Sequence, residues 1–254
     1  MKLHHQIIGS GQPIVILHGL LGSLDNWRGL AKQLATKVQV ISVDLRNHGR
    51  SPHSAEQTYQ LMADDLVELL DELGLDKVDL VGHSVGGKMA MEFSKHYPQR
   101  LRKLVVVDIA PRSYDDEHST IFKGLLAIEL SQFTSRSQVD QALQTSINNK
   151  AIRQFLLMNL AVENEQLMWR INLQALFNNY SKLLQSVCEG SVINIATCFI
   201  RGGRSTYIKP SDRALIESIF PNSELFTIES AGHWVHAEAP DDFLAKIIEF
   251  FDYD

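Results

Sequence analysis

The chain has 254 residues, 44% hydrophobic and 21% charged, enough apolar surface to close one core with at most a smaller appended unit. Its formal net charge is −6 and the basic residues are scattered, which argues against nucleic acid or an anionic membrane as partner and for a small molecule. Two cysteines, Cys188 and Cys198, without Cys-x-x-Cys spacing exclude a disulfide framework and a structural zinc, and no apolar run approaches bilayer length.

Residues 1–11 read as a strand and a turn, without a charged start leading into an apolar leader, so the expected compartment is a reducing cytoplasm. Residues 14–17 and 38–43 are short, β-branched and apolar, as in a parallel sheet covered on both faces. After the first comes the loop His18-Gly19-Leu20-Leu21-Gly22-Ser23, and after the second the turn Asp44-Leu45-Arg46-Asn47-His48-Gly49-Arg50-Ser51. Met62, Leu66, Leu69, Leu70 and Leu73 share one helical face that Gly74 closes. A strand over 78–81 runs into Gly82-His83-Ser84-Val85-Gly86-Gly87 and then a helix-patterned stretch to Tyr97-Pro98. A further strand over 104–107 ends in Asp108.

From 112 to 189 the β-runs vanish and helical periodicity dominates, which predicts a helical cap over the carboxyl edge of a core formed by 1–111 and 190–254. Met158, Met168 and Trp169 in this segment are candidates to line an acyl pocket. The alternation then resumes, with strands over 192–200 and 224–228 and helices over 210–220 and 240–251. The expected fold class is α/β, a mostly parallel central sheet flanked by helices.

Ser84 stands at a strand-to-helix elbow, where small neighbours two positions away on either side let the backbone reverse and lift the hydroxyl clear of the sheet. A serine hydroxyl needs a base, and His233, in Ser230-Ala231-Gly232-His233-Trp234 between the last strand and the last helix, supplies one. His236 reads as a loop or cap residue, and His4, His5, His53, His96 and His118 as surface, with no pair in metal-ligand spacing. For the orienting acid Asp108 is the choice and Asp212 its rival. Asp108 ends a strand on the correct sheet edge, and Asp212 follows the later strand but fits the first turn of a helix after Pro210. Ser205 occupies the place where an acid is usual and is a candidate to contact substrate. The backbone N–H groups of Val85 and Leu20 are the expected oxyanion donors.

His18-Gly19, the 44–51 turn, the elbow 82–88 and Gly232-His233 together resemble the α/β-hydrolase fold family along essentially the whole chain. Val107-Asp108-Ile109-Ala110-Pro111 after what the family counts as its sixth core strand, and a serine after the seventh, look like one group of bacterial esterases in it. The resemblance independently favours Asp108 as the acid. It implies an esterase acting on short- to medium-chain acyl esters, and by extension acyl-CoA thioesters, through an acyl-serine intermediate without metal or organic cofactor. In the thioester case Arg201, Arg204 or Lys209 would meet the coenzyme A phosphates. It also implies a structural role for the 44–51 turn. The alternatives are other chemistry of the same scaffold, such as C–C bond hydrolysis, and a non-catalytic ligand-binding protein.

Overall fold

The computed structural model describes residues 1–253. In chain order the elements are β1 (His5–Ile8), β2 (Pro13–Leu17), α1 (Arg28–Leu34), β3 (Gln39–Val43), α2 (Tyr59–Glu72), β4 (Val78–His83), α3 (Val85–His96) and β5 (Leu101–Val107). There follow α4 (Ser119–Leu126), α5 (Arg136–Leu143), α6 (Lys150–Leu157), the hairpin β6 (Leu160–Glu163) and β7 (Gln166–Trp169), and α7 (Leu173–Leu183). The chain closes with β8 (Thr197–Gly202), α8 (Arg213–Ile219), β9 (Ser223–Ile228), α9 (Val235–Glu238) and α10 (Pro240–Phe251).

Seven strands form one sheet in the order β1-β3-β2-β4-β5-β8-β9, with only β1 antiparallel to its neighbour. Alternation along each strand explains why both faces are dry. Val15 and Leu17 of β2 join the cluster under α2 and α3, whereas Ile14 and Ile16 join the one under α1 and α10. Each fully buried side chain of this size contributes roughly 1.5–3 kcal/mol. The apolar runs over 14–17, 38–43, 78–81 and 104–107 are thus central strands, the run over 224–228 lies in the edge strand β9, and the strand that the family counts as sixth is the fifth of this chain. No described helix is long and apolar enough to cross a membrane.

Two expectations are corrected. The segment between β5 and β8 is not wholly helical, because residues 160–169 form an antiparallel hairpin closed by Asn164 and Glu165, both at positive φ (48° and 65°). That is the two-residue turn geometry whose twist matches paired strands, and Asn tolerates it well. The strand predicted from 192 begins only at Thr197. Val192 is largely exposed, and the Ile193 N–H donates to Ile219 O at the end of α8 (2.7 Å), so the chain joins the sheet where Thr197 aligns with Leu104.

Candidate active site

Ser84 is the hinge between β4 and α3, held at φ 53° and ψ −119°. A side chain in this sparsely populated region stays there only if its surroundings demand it. A Cβ at Gly82 would sit 2.3 Å from the Gly86 carbonyl oxygen, and one at Gly86 2.5 Å from that of His18, so the elbow closes only with glycine at both positions. The Ser84 N–H donates to Val107 O (3.0 Å), fixing the elbow to the end of β5.

Asp108 follows directly at that strand end, with φ 48° and no solvent exposure. Its N–H donates to Ile200 O of β8 (2.8 Å). Its carboxylate accepts from His233 Nδ1 (2.8 Å), from the Gly202 N–H (3.0 Å) and from the Ser205 hydroxyl. Of the two candidate acids, then, Asp108 is the one against the imidazole. Asp212 instead pairs with Arg112 (3.0 Å) and accepts from the Lys209 N–H (2.8 Å), the first-turn role its position after Pro210 suggests.

His233 is half-buried in the loop after β9, stacked on Tyr207 with ring centroids 3.9 Å apart. Its carbonyl accepts from His83 Nε2 (2.9 Å), which places a ring proton on that nitrogen, and burial pulls His83 well below the usual range. With Nδ1 committed to Asp108, Nε2 is the nitrogen left for the serine, and Ser84 and His233 line one cavity. Among the described residues no hydrogen bond joins the Ser84 hydroxyl to His233. Such contacts commonly tighten only with substrate bound.

Val85 is the first residue of α3, so its N–H has no carbonyl one turn back and lies at the positive end of the helix. Leu20 belongs to a loop braced by buried histidines. The Leu21 N–H donates to His48 Nε2 (3.2 Å) and the Leu45 N–H to His18 Nε2 (3.0 Å). Both rings must be neutral to accept, and burial lowers His18 to about 4 and His48 to about 3. Asp44 of the 44–51 turn accepts from the N–H groups of Leu24 (2.8 Å) and Arg50 (2.9 Å), and Arg46 pairs with Asp65 (2.6 Å). Asp44, Arg46 and His48 do not line the cavity, whereas His18 does.

The cavity beside Ser84 and His233 holds about 270 Å³, and its apolar wall includes Leu21, Ile152, Phe155, Leu156 and Trp234. Three residues expected against substrate are elsewhere. Met158 lies outside the cavity, 39% exposed with its Sδ 3.5 Å from Asn26 Nδ2, and Trp169 sits on β7 opposite Leu160 in the inserted segment's own cluster. Ser205 supports the Asp108 carboxylate instead of lining the cavity. Helical periodicity across 158–169 ends at Met158, the C-cap of α6, and the hairpin that follows places Trp169 on a strand. Arg201, Arg204 and Lys209 do not line it either.

Sequence reasoning passed over Tyr207, which stacks on the imidazole, and His83, which bonds the His233 carbonyl, and it put His118 at the surface although it is half-buried, hydrogen-bonded to the Tyr180 hydroxyl (2.9 Å) and part of the cavity wall. His236, taken for a cap, is buried and stacked on Trp27 at 3.9 Å. Only its spacing of three residues from His233 signals a shared face.

A family model described as alpha/beta hydrolase fold matches residues 12–240. A putative esterase/lipase of Haemophilus influenzae is 39% identical over 240 residues, covering 94% of this chain and 83% of that protein. Esterase YbfF of Escherichia coli is 37% identical over 244 residues, covering 96% of this chain and 94% of its own length. Among solved structures, a marine microorganism esterase superposes with a TM-score of 0.96 at 38% identity, covering 98% of this chain and 99% of that one. With its sheet order, its elbow serine and relatives matched over nearly their whole length, the chain belongs to the α/β-hydrolase fold family.

Proposed function

We propose that this protein is a serine esterase that hydrolyses short- to medium-chain acyl esters through an acyl-serine intermediate, with Ser84 as nucleophile, His233 as general base and Asp108 as the orienting acid. The observation that carries this is the 2.8 Å contact between His233 Nδ1 and the buried Asp108 carboxylate, with Nε2 free toward the cavity that holds Ser84. His233 takes the Ser84 proton as the hydroxyl attacks the acyl carbon, the N–H groups of Leu20 and Val85 stabilise the oxyanion, and the imidazolium passes its proton to the leaving alcohol. Water repeats the sequence on the acyl-serine. The names of the relatives, esterases and esterase/lipases, support this assignment.

A cavity of about 270 Å³ is near the lower limit of roughly 300–1,000 Å³ for small-molecule sites, which favours small esters over bulky ones. Residues 112–189 act in this proposal as a cap over the sheet edge, since Phe155 and Ile152 of α6 form part of the wall. Cleavage of acyl-CoA thioesters would use the same three residues. Free, buried Cys188 and Cys198 fit a reducing cytoplasm. The test is hydrolysis of 4-nitrophenyl esters from acetate to decanoate, together with mass analysis after treatment with a fluorophosphonate. Turnover with the probe mass on Ser84 is expected. No hydrolysis across the panel and no adduct on Ser84 would overturn the assignment.

A further inference from the structure

A second, smaller cavity adjoins the first. Both border Ser84 and Leu20, but His233 lines only the larger, whereas Val85 and Lys88 line only the smaller. This division orients an ester. The imidazole returns its proton to the leaving oxygen, so the alcohol lies on the side of His233, and the acyl group, across the attacked carbon, points into the smaller space. That space is about 40 Å³. At roughly 10–15 Å³ for each water-sized sphere it admits a chain of only a few atoms.

Lys88 is one turn along α3 from Ser84, its N–H donating to Ser84 O (3.0 Å), so its side chain leans back toward the nucleophile's end of the helix. It is 1% exposed. Its ammonium donates to the carbonyls of Leu184 (3.4 Å) and Gln185 just past α7 and lies 4.9 Å from the centre of the Tyr114 ring. An ammonium has three N–H donors, so one remains. Among the described residues no carboxylate pairs with it, and burial lowers this amine to about 7. Neighbouring donors are already committed. The Tyr59 hydroxyl donates to Leu183 O (2.7 Å), the Tyr114 hydroxyl to Tyr207 O (2.7 Å), and Arg112 pairs with Asp212. Asp115 and Glu117 also border the space, but both are exposed, and Glu117 accepts from the Tyr207 hydroxyl (3.2 Å). A buried amine without a counter-ion, one helical turn from the nucleophile, is held in its protonated form by an anionic group, so an anion brought by the substrate is its complement.

We infer that the smaller cavity is an acyl subsite for a short chain ending in a carboxylate, which pairs with Lys88, so that the site prefers half-esters of short dicarboxylic acids. This rests on the esterase assignment above. Ser84 Oγ bonds to the acyl carbon, the bond to the alkoxy oxygen breaks, and that oxygen leaves with the proton His233 took from Ser84. Water then cleaves the acyl-serine and releases the free dicarboxylic acid. The distal carboxylate stays ionised throughout.

The experiment compares two ethyl esters of matched shape in a pH-stat, monoethyl succinate and ethyl 4-methylpentanoate, with the wild type and Lys88→Met. In the wild type kcat/KM should favour the anionic ester by about tenfold or more, and that ratio should fall by about tenfold or more in the variant. Equal or reversed preference in the wild type, or an unchanged ratio in Lys88→Met, overturns the subsite. If the variant does not fold, competitive inhibition of the wild type decides, with succinate expected to bind more tightly than 4-methylpentanoate and the opposite order counting against. A wild type that hydrolyses 4-nitrophenyl acetate but shows no anion preference removes the subsite and leaves the esterase standing. One that hydrolyses no ester and takes no label on Ser84 removes both.

Discussion

The carboxyl edge of the sheet and the 112–189 segment above it are held by different kinds of contact. At the edge, backbone fixes side chain: Ser84 N–H on Val107 O, Asp108 N–H on Ile200 O, and the Gly202 N–H on the Asp108 carboxylate. The inserted segment is held by its own apolar cluster, Phe122, Leu125, Leu143, Leu156 and Leu176 among others, with few strand-like constraints. Backbone bonds between neighbouring strands set atoms to within tenths of an ångström, whereas apolar packing accepts many arrangements of similar volume. In the proposed reaction the reacting groups therefore reside in the edge, and the insertion adds one wall to a cavity that the edge residues otherwise line.

The sharpest way to break this contrast is to remove edge residues. Ser84→Ala and His233→Ala should each lower kcat by about five to six decades, because members of one catalytic unit fail together. Steady-state turnover of a 4-nitrophenyl ester checks this, and a loss of only tenfold in either would separate that residue from the chemistry. Asp108→Asn should cost about four decades through the wrong imidazole tautomer, while Asp212→Asn stays within several-fold of the wild type. The reverse ranking would move the acid to Asp212.

Smaller effects test the bracing around the edge. His18, His48 and His236 are neutral in the fold, lowered to about 4, about 3 and about 3 by burial, against about 6.5 when unfolded. Between those values the unfolded chain binds more protons, so stability is complete above about pH 6.5 and is lost as pH falls toward 4 and 3. From pH 6.5 to 5 each such ring contributes a loss on the order of 2 kcal/mol. Urea midpoints at pH 7 and pH 5 should fall accordingly, and a midpoint that rises on acidification would contradict the neutral bracing.

Among the groups that touch the relay, the least severe change is Ser205→Ala. It removes one hydrogen bond to the Asp108 carboxylate and leaves those from His233 and Gly202, so kcat should drop about tenfold with KM little altered. A rise in KM with unchanged kcat would return Ser205 to the substrate contact first expected of it.

The contrast also explains what was legible in the chain. Edge residues announce themselves because strand, elbow and loop impose local rules: Gly82 and Gly86 are required by contacts of 2.3 and 2.5 Å, and His233 lies in a glycine-bearing connection. Lining residues obey no such rule. Met158 and Trp169 satisfied a helical period that the Asn164-Glu165 turn breaks, and Tyr207 reaches His233 from 26 positions away with no local pattern to mark it.

By itself, then, the sequence determined the alternation of strand and helix, the elbow serine, the imidazole loop and two candidate acids, since each depends on periodicity or on backbone sterics within a few residues. Tertiary structure alone showed what each carboxylate touches, Asp108 the imidazole and Asp212 the Arg112 guanidinium, turned Ser205 from substrate to carboxylate, and buried Lys88 one helical turn from Ser84 without a counter-ion. Those outcomes depend on which distant groups share a buried volume, and such groups are neighbours only after the sheet has closed.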